Sequence, residues 1–249
     1  MKKSILFALV ICAFLCVPQV NTAQKVTRVD AFDKVIVSPH IEVVLVEGNE
    51  ESVKIENAKV SEDKINIEVD GKTLRLYLDG AKTVTKQERV SSNNWKGKRS
   101  IYNGTMARAT ITYKKLRTLS VRGEEIVKCE SPIEQEELKL TIYGESKVYF
   151  NAITTEDLTV SIYGESYLEI QGGNVGRQVY RAYGESEVNT LEMENTSTKI
   201  TAFGESNFRV KVSSRLKVTC YGETEINYTG DPDIDKGIVI GEAELRKIG

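Results

Sequence analysis

A Gly-Glu pair returns at almost constant spacing through the second half of this chain, most often as aromatic-Gly-Glu-Ser. The copies read Tyr143-Gly144-Glu145-Ser146, Tyr163-Gly164-Glu165-Ser166, Tyr183-Gly184-Glu185-Ser186, Phe203-Gly204-Glu205-Ser206 and Tyr221-Gly222-Glu223-Thr224. Shorter copies flank them at Gly123-Glu124-Glu125 and Gly241-Glu242-Ala243, and the seven glycines lie 21, 20, 20, 20, 18 and 19 residues apart. A fixed period near twenty marks a solenoid, in which each copy is one coil stacked on the last.

Aligning the copies on their glycine predicts what one coil looks like. The sixth, fourth and second residues before it are apolar in Leu138/Leu140/Ile142, Leu158/Val160/Ile162 and Leu216/Val218/Cys220, with polar residues between. After the glycine, the second residue is small from Ser146 to Ala243, and the fourth is apolar throughout: Val127, Val148, Leu168, Val188, Phe208, Ile226 and Leu245. Alternation with period two is the pattern of a half-buried strand. Each coil therefore has two strands meeting at an aromatic-Gly-Glu corner, followed by a variable stretch with room for a third. Glycine suits a corner that needs positive φ or close backbone approach. No helical periodicity is present, and leucine-rich, ankyrin and tetratricopeptide patterns do not fit. The fold class expected is all-β, a right-handed parallel β-helix with coils of about 20 residues.

Residues 1–23 read as a secretory signal peptide: Lys2 and Lys3, an apolar run from Ile5 to Val17, then small or polar residues to Ala23. Cys12 and Cys16 follow large residues rather than small ones, which disfavours lipidation. An exported protein of the periplasm, outer-membrane surface or extracellular space follows. Loss of two lysines and no acid takes the formal charge from −2 to −4, against the basic face of a nucleic-acid binder. Cys129 and Cys220 fall at apolar repeat positions about 24 Å apart at ~4.8 Å per coil, too far for a disulfide.

Residues 24–249 are expected to form a single β-helix domain. Residues 119–249 hold the regular coils, and 24–118 hold irregular first coils of the same solenoid. In that first part Ile41/Val43/Leu45 and Leu74/Leu76/Leu78 alternate, with turns at Gly48, Gly71 and Gly80. Residues 82–105 read as a long basic loop with Lys82, Lys86, Arg89, Lys96, Lys98, Arg99 and the single tryptophan, Trp95. A loop of that length is either functional or disordered.

The segment Phe32-Asp33-Lys34-Val35-Ile36-Val37 and the run Lys115-Leu116-Arg117-Thr118-Leu119-Ser120-Val121-Arg122-Gly123 resemble a family of exported Bacteroides-group proteins. That family is described as an auto-transporter adhesin, head GIN domain. The resemblance covers nearly the whole chain after the signal and implies one β-helical domain outside the inner membrane. It carries no catalytic residues over. Family members often have a small residue after the glycine, where this chain has Glu in every copy.

Two columns are candidate binding sites: the aromatics Tyr143, Tyr163, Tyr183 and Phe203, and the acids Glu145, Glu165, Glu185 and Glu205, with Trp95 as an outlying contact. Like charges ~4.8 Å apart repel by roughly 1 kcal/mol in water. Screening, neighbouring bases or a cation such as Ca²⁺ bridging Glu145, Glu165, Glu185 and Glu205 would relieve them. The structural alternative is that each Glu caps its corner by accepting backbone N–H groups. The aromatics either stack sugar rings or stack on one another. The basic loop would suit anionic glycans, lipid head groups or a partner protein.

Enzyme signals are thin. His40 is the only histidine, and no phosphate loop, dinucleotide fingerprint, zinc motif or serine elbow is present. Identical glutamates repeated along a ladder lack the contrasting environments that an acid/base pair needs. The expectation is a non-enzymatic binding or adhesion module without a cofactor, contacting glycans or envelope components along the Tyr/Glu ladder. The alternatives are a β-helical polysaccharide lyase or hydrolase, and an envelope scaffold or stress-response component with a protein partner.

Overall fold

The computed structural model describes residues 26–92 and 95–249, excluding the side chains of 92, 95 and 96. The expected signal peptide and the start of the mature chain lie outside the described residues. The fold is a parallel β-solenoid of about six turns.

Register follows the repeat residue for residue. Strand Glu137–Gly144 lies parallel to Ile153–Gly164 with Tyr143 opposite Tyr163 and Gly144 opposite Gly164. The same face continues through Gly173–Tyr183, Glu194–Lys211, Arg215–Thr229 and Asp233–Lys247. Beyond the corner, Lys147–Phe150 stacks on Tyr167–Ile170 and then on Ser186–Thr190. The variable stretch supplies a short third face, where Ile133 pairs with Ile153 and Ile153 with Gly173.

Inward positions form columns of apolar side chains. Leu140, Val160, Tyr180, Ile200 and Val218 are in register, as are Val148, Leu168, Val188, Phe208 and Ile226, all essentially inaccessible to solvent. Burying each contributes roughly 1.5–3 kcal/mol, which is why one register dominates. Cys129 and Cys220 are buried free thiols at other inward positions, in register with Phe150 and Ala202.

The first part of the chain joins the same stack but not only as coils. Lys34–Val37 pairs in parallel with Thr118–Gly123 on one side and Thr73–Leu78 on the other. Ile41–Glu47 likewise sits between Ile126–Cys129 and Ala107–Tyr113. Outside them the direction reverses. Ile65–Asp70 runs antiparallel to Thr73–Leu78, Ser52–Ala58 to Ala107–Tyr113, and Val26–Arg28 to Ser52–Ala58. A tight turn at Gly71, with φ 57°, makes the first reversal possible. This end is thus covered by antiparallel strands rather than left as an open coil.

Residues 82–105 differ from the expected loop. They contain a hairpin of Gln87–Ser92 and Trp95–Ser100, which forms a two-stranded sheet of its own.

Candidate functional site: an acidic groove beside an aromatic stack

The corner explains the repeat. Gly144 has φ 96°, and a Cβ there would lie 2.3 Å from the carbonyl oxygen of Gly123 in the coil before. Positive φ and contact with the preceding backbone both require glycine. The small residue two places on does more than fit. Ser146 Oγ donates to the Gly123 carbonyl at 2.9 Å, and Ser166 Oγ to that of Gly144 at 2.9 Å. Ser186 and Ser206 repeat the bond at 3.3 and 3.4 Å. A buried hydroxyl without a partner is unfavourable, and this coil-to-coil bond satisfies it.

Tyr143, Tyr163, Tyr183, Phe203 and Tyr221 form one continuous stack. Successive ring centroids are 5.0, 4.9, 4.9 and 4.7 Å apart, with planes tilted by 11°, 2°, 2° and 3°. The Arg122 guanidinium lies 4.4 Å over the free face of Tyr143. Both faces of the inner rings are therefore occupied by neighbouring rings. Sugar stacking needs an open ring face, and Tyr163, Tyr183 and Phe203 offer only edges. The stack works as a coil-to-coil contact.

The glutamates behave differently. Glu145, Glu165, Glu185, Glu205, Glu223 and Glu242 line one side of an open groove of about 600 Å³. Alternation places the residue two further along beside them, so Lys147, Tyr167, Glu187, Asn207, Glu225 and Glu244 line the other side. Sequence reading missed this second column, although Glu187, Glu225 and Glu244 share the ladder's parity. Among the described residues, none of the six ladder carboxylates forms an ion pair or a side-chain hydrogen bond. The expected corner capping by these glutamates is thus not formed; the corner's side-chain bond is the serine hydroxyl's to the preceding glycine carbonyl. No group of three His, Cys, Asp or Glu among the described residues is placed to hold a metal ion.

On the groove's second side, Tyr167 Oη donates to Glu169 at 2.6 Å. Burial, then that bond, pushes the Tyr167 hydroxyl up to about 12, while the tyrosine and Gln171 hold the Glu169 carboxyl below its ordinary value.

One copy departs from the corner pattern. Glu125 fills the inward position that serine holds elsewhere, is 6% exposed, and accepts from the Glu124 amide at 3.0 Å. Its Oε1 lies 3.8 Å from Nδ1 of His40. By register His40 is the corner residue of the preceding coil, at φ 72°. Its Nδ1–H donates to the Gly104 carbonyl at 2.9 Å, Nε2 meets Thr85 Oγ1 at 2.7 Å, and Tyr102 sits edge-on at 5.6 Å. His40 thereby ties both roots of the basic hairpin to the corner. The side chain of Trp95 lies outside the described residues.

The family model described as "Putative auto-transporter adhesin, head GIN domain" matches residues 31–232. The chain belongs to this family. No curated protein matches the sequence. Among solved structures, the head GIN chain is similar to a "putative adhesin" from Bacteroides fragilis NCTC 9343, at 17% identity and TM-score 0.76, over 90% of this chain and 96% of that one. A "putative adhesin" from Parabacteroides merdae ATCC 43184 aligns at 18% identity and TM-score 0.62, over 91% and 96% of the two chains. A "putative lipid binding protein" from Parabacteroides distasonis ATCC 8503 aligns at 18% and 0.61, over 92% and 98%. At these identities the likeness shows a shared fold. No helix among the described residues is long and apolar enough to cross a membrane.

Proposed function

We propose that this head GIN chain is an exported, non-enzymatic binding module whose contact surface is the acidic groove, and that its ligand is extended and positively charged. One observation carries the reading: six ladder carboxylates line an open groove and none has a cationic partner among the described residues. Aligned like charges are unfavourable for folding, so their persistence along every coil fits a surface that an outside cation completes. The repeated spacing favours a polymer with amines or guanidines at regular intervals, in envelope glycan or protein, over a compact small molecule. The aromatic stack holds the coils at the spacing that sets the ladder.

The test is an array of envelope glycans and basic polypeptides probed with the wild type and with Glu165→Gln/Glu185→Gln. Binding to cationic members should fall at least tenfold in the variant. Equal binding of both proteins to every member would contradict the reading.

A further inference from the structure

The hairpin Gln87–Ser92/Trp95–Ser100 pairs with itself and with no other strand among the described residues. A lone two-stranded hairpin is marginally stable in water. This one is also strained by charge. Arg89 and Lys98 are directly opposed across the two strands, so their side chains share a face about 5 Å apart, and like charges so placed repel. Both are exposed, and neither forms an ion pair among the described residues. On the other face, by contrast, Arg99 is paired with Glu88 at 2.9 Å.

The groove has the inverse problem at the same spacing. Its ladder carboxylates step by about 4.8 Å from coil to coil and are likewise unpaired. A pair of cations about 5 Å apart meets two successive glutamates in register.

Position decides the source of the hairpin. Its roots are tied to His40, which occupies the corner column that continues into Glu124 and the ladder. The hairpin is thus rooted at one end of the edge along which the groove runs, two coils before Glu145, and within one copy its Arg89/Lys98 face and the ladder carboxylates do not meet. Two copies laid edge to edge and antiparallel bring each hairpin to the other's groove at the same time. Such a two-fold arrangement closes on itself and makes both contacts together. Resting on the groove reading above, we propose that the groove's partner is the Arg89/Lys98 face of the hairpin on a second copy of this chain, in a reciprocal dimer.

Sedimentation velocity across two decades of protein concentration tests this, run alongside calorimetric titration with decalysine. The wild type should dimerise with rising concentration and dissociate in high salt. Arg89→Glu/Lys98→Glu should be monomeric and bind decalysine at least as tightly as the wild type, whose groove the partner's hairpin competes for. Glu165→Lys/Glu185→Lys should be monomeric and bind no decalysine. An equimolar mixture of the two variants should form a heterodimer, because one contact is the native one and the other is restored with charges exchanged. A wild type that stays monomeric but binds decalysine overturns the dimer and leaves the groove reading standing. A wild type that binds no decalysine overturns both. A salt-sensitive compaction independent of concentration would mean the hairpin closes on its own groove, which also overturns the second copy. Circular dichroism of each variant confirms that strand content is retained.

Discussion

Gly164 and Ser166 show how one corner is held. Gly164 sits at φ 120°, where a Cβ would come 2.4 Å from the Gly144 carbonyl oxygen. Backbone strain of this kind costs about 1–3 kcal/mol, and the clash adds to it. Gly164→Ala should therefore lower stability by more than about 2 kcal/mol in urea unfolding. Ser166→Ala should be milder, at about 1 kcal/mol, because the Gly144 carbonyl keeps its bond from the Glu165 amide at 2.9 Å. Equal effects of the two changes would contradict this division of roles. Cys129 gives a third check at this scale. Burial, the largest cause, pushes its thiol up to about 11, so little thiolate exists at neutral pH. Iodoacetamide should leave Cys129 unmodified in the folded protein and label it in denaturant; rapid native labelling would show that the column is open.

The aromatic stack and the groove are adjacent elements with separable roles. Tyr183→Leu should lower the melting temperature by removing two ring contacts, with decalysine affinity unchanged. A loss of affinity at unchanged stability would return the tyrosines to the binding surface. Much of this geometry was legible in the residues. Glycine spacing gave the coil, alternation gave the faces, and the small residue gave the inward side, because backbone geometry and burial act locally and repeat. What was not legible depended on neighbours far apart in sequence. Whether a ring face is open depends on the coil above. That Ser146 bonds back to the Gly123 carbonyl depends on the coil before it, 23 residues away. Two signals were legible only in part: Gly71 reads as a turn but not as the reversal of an antiparallel hairpin, and Glu125 breaks the serine column beside His40.

For the whole molecule, the groove sets stability against binding. Its unpaired carboxylates repel, and repulsion between exposed charges is screened within about 8–10 Å at physiological salt. Raising ionic strength should raise the melting temperature while weakening cation binding. Glu185→Gln should stabilise the fold by a few tenths of a kcal/mol at low salt, the usual direction when a functional charge is removed. The fold itself needs the spacing of the coils but not the charge, and the likeness to solved structures at low identity shows the fold alone. Calorimetric titration of decalysine into the wild type and into Glu165→Gln/Glu185→Gln, at low and at high salt, tests the central claim most directly. The groove account predicts salt-sensitive binding by the wild type and at least tenfold weaker binding by the variant; equal affinities, or affinity indifferent to salt, would contradict it.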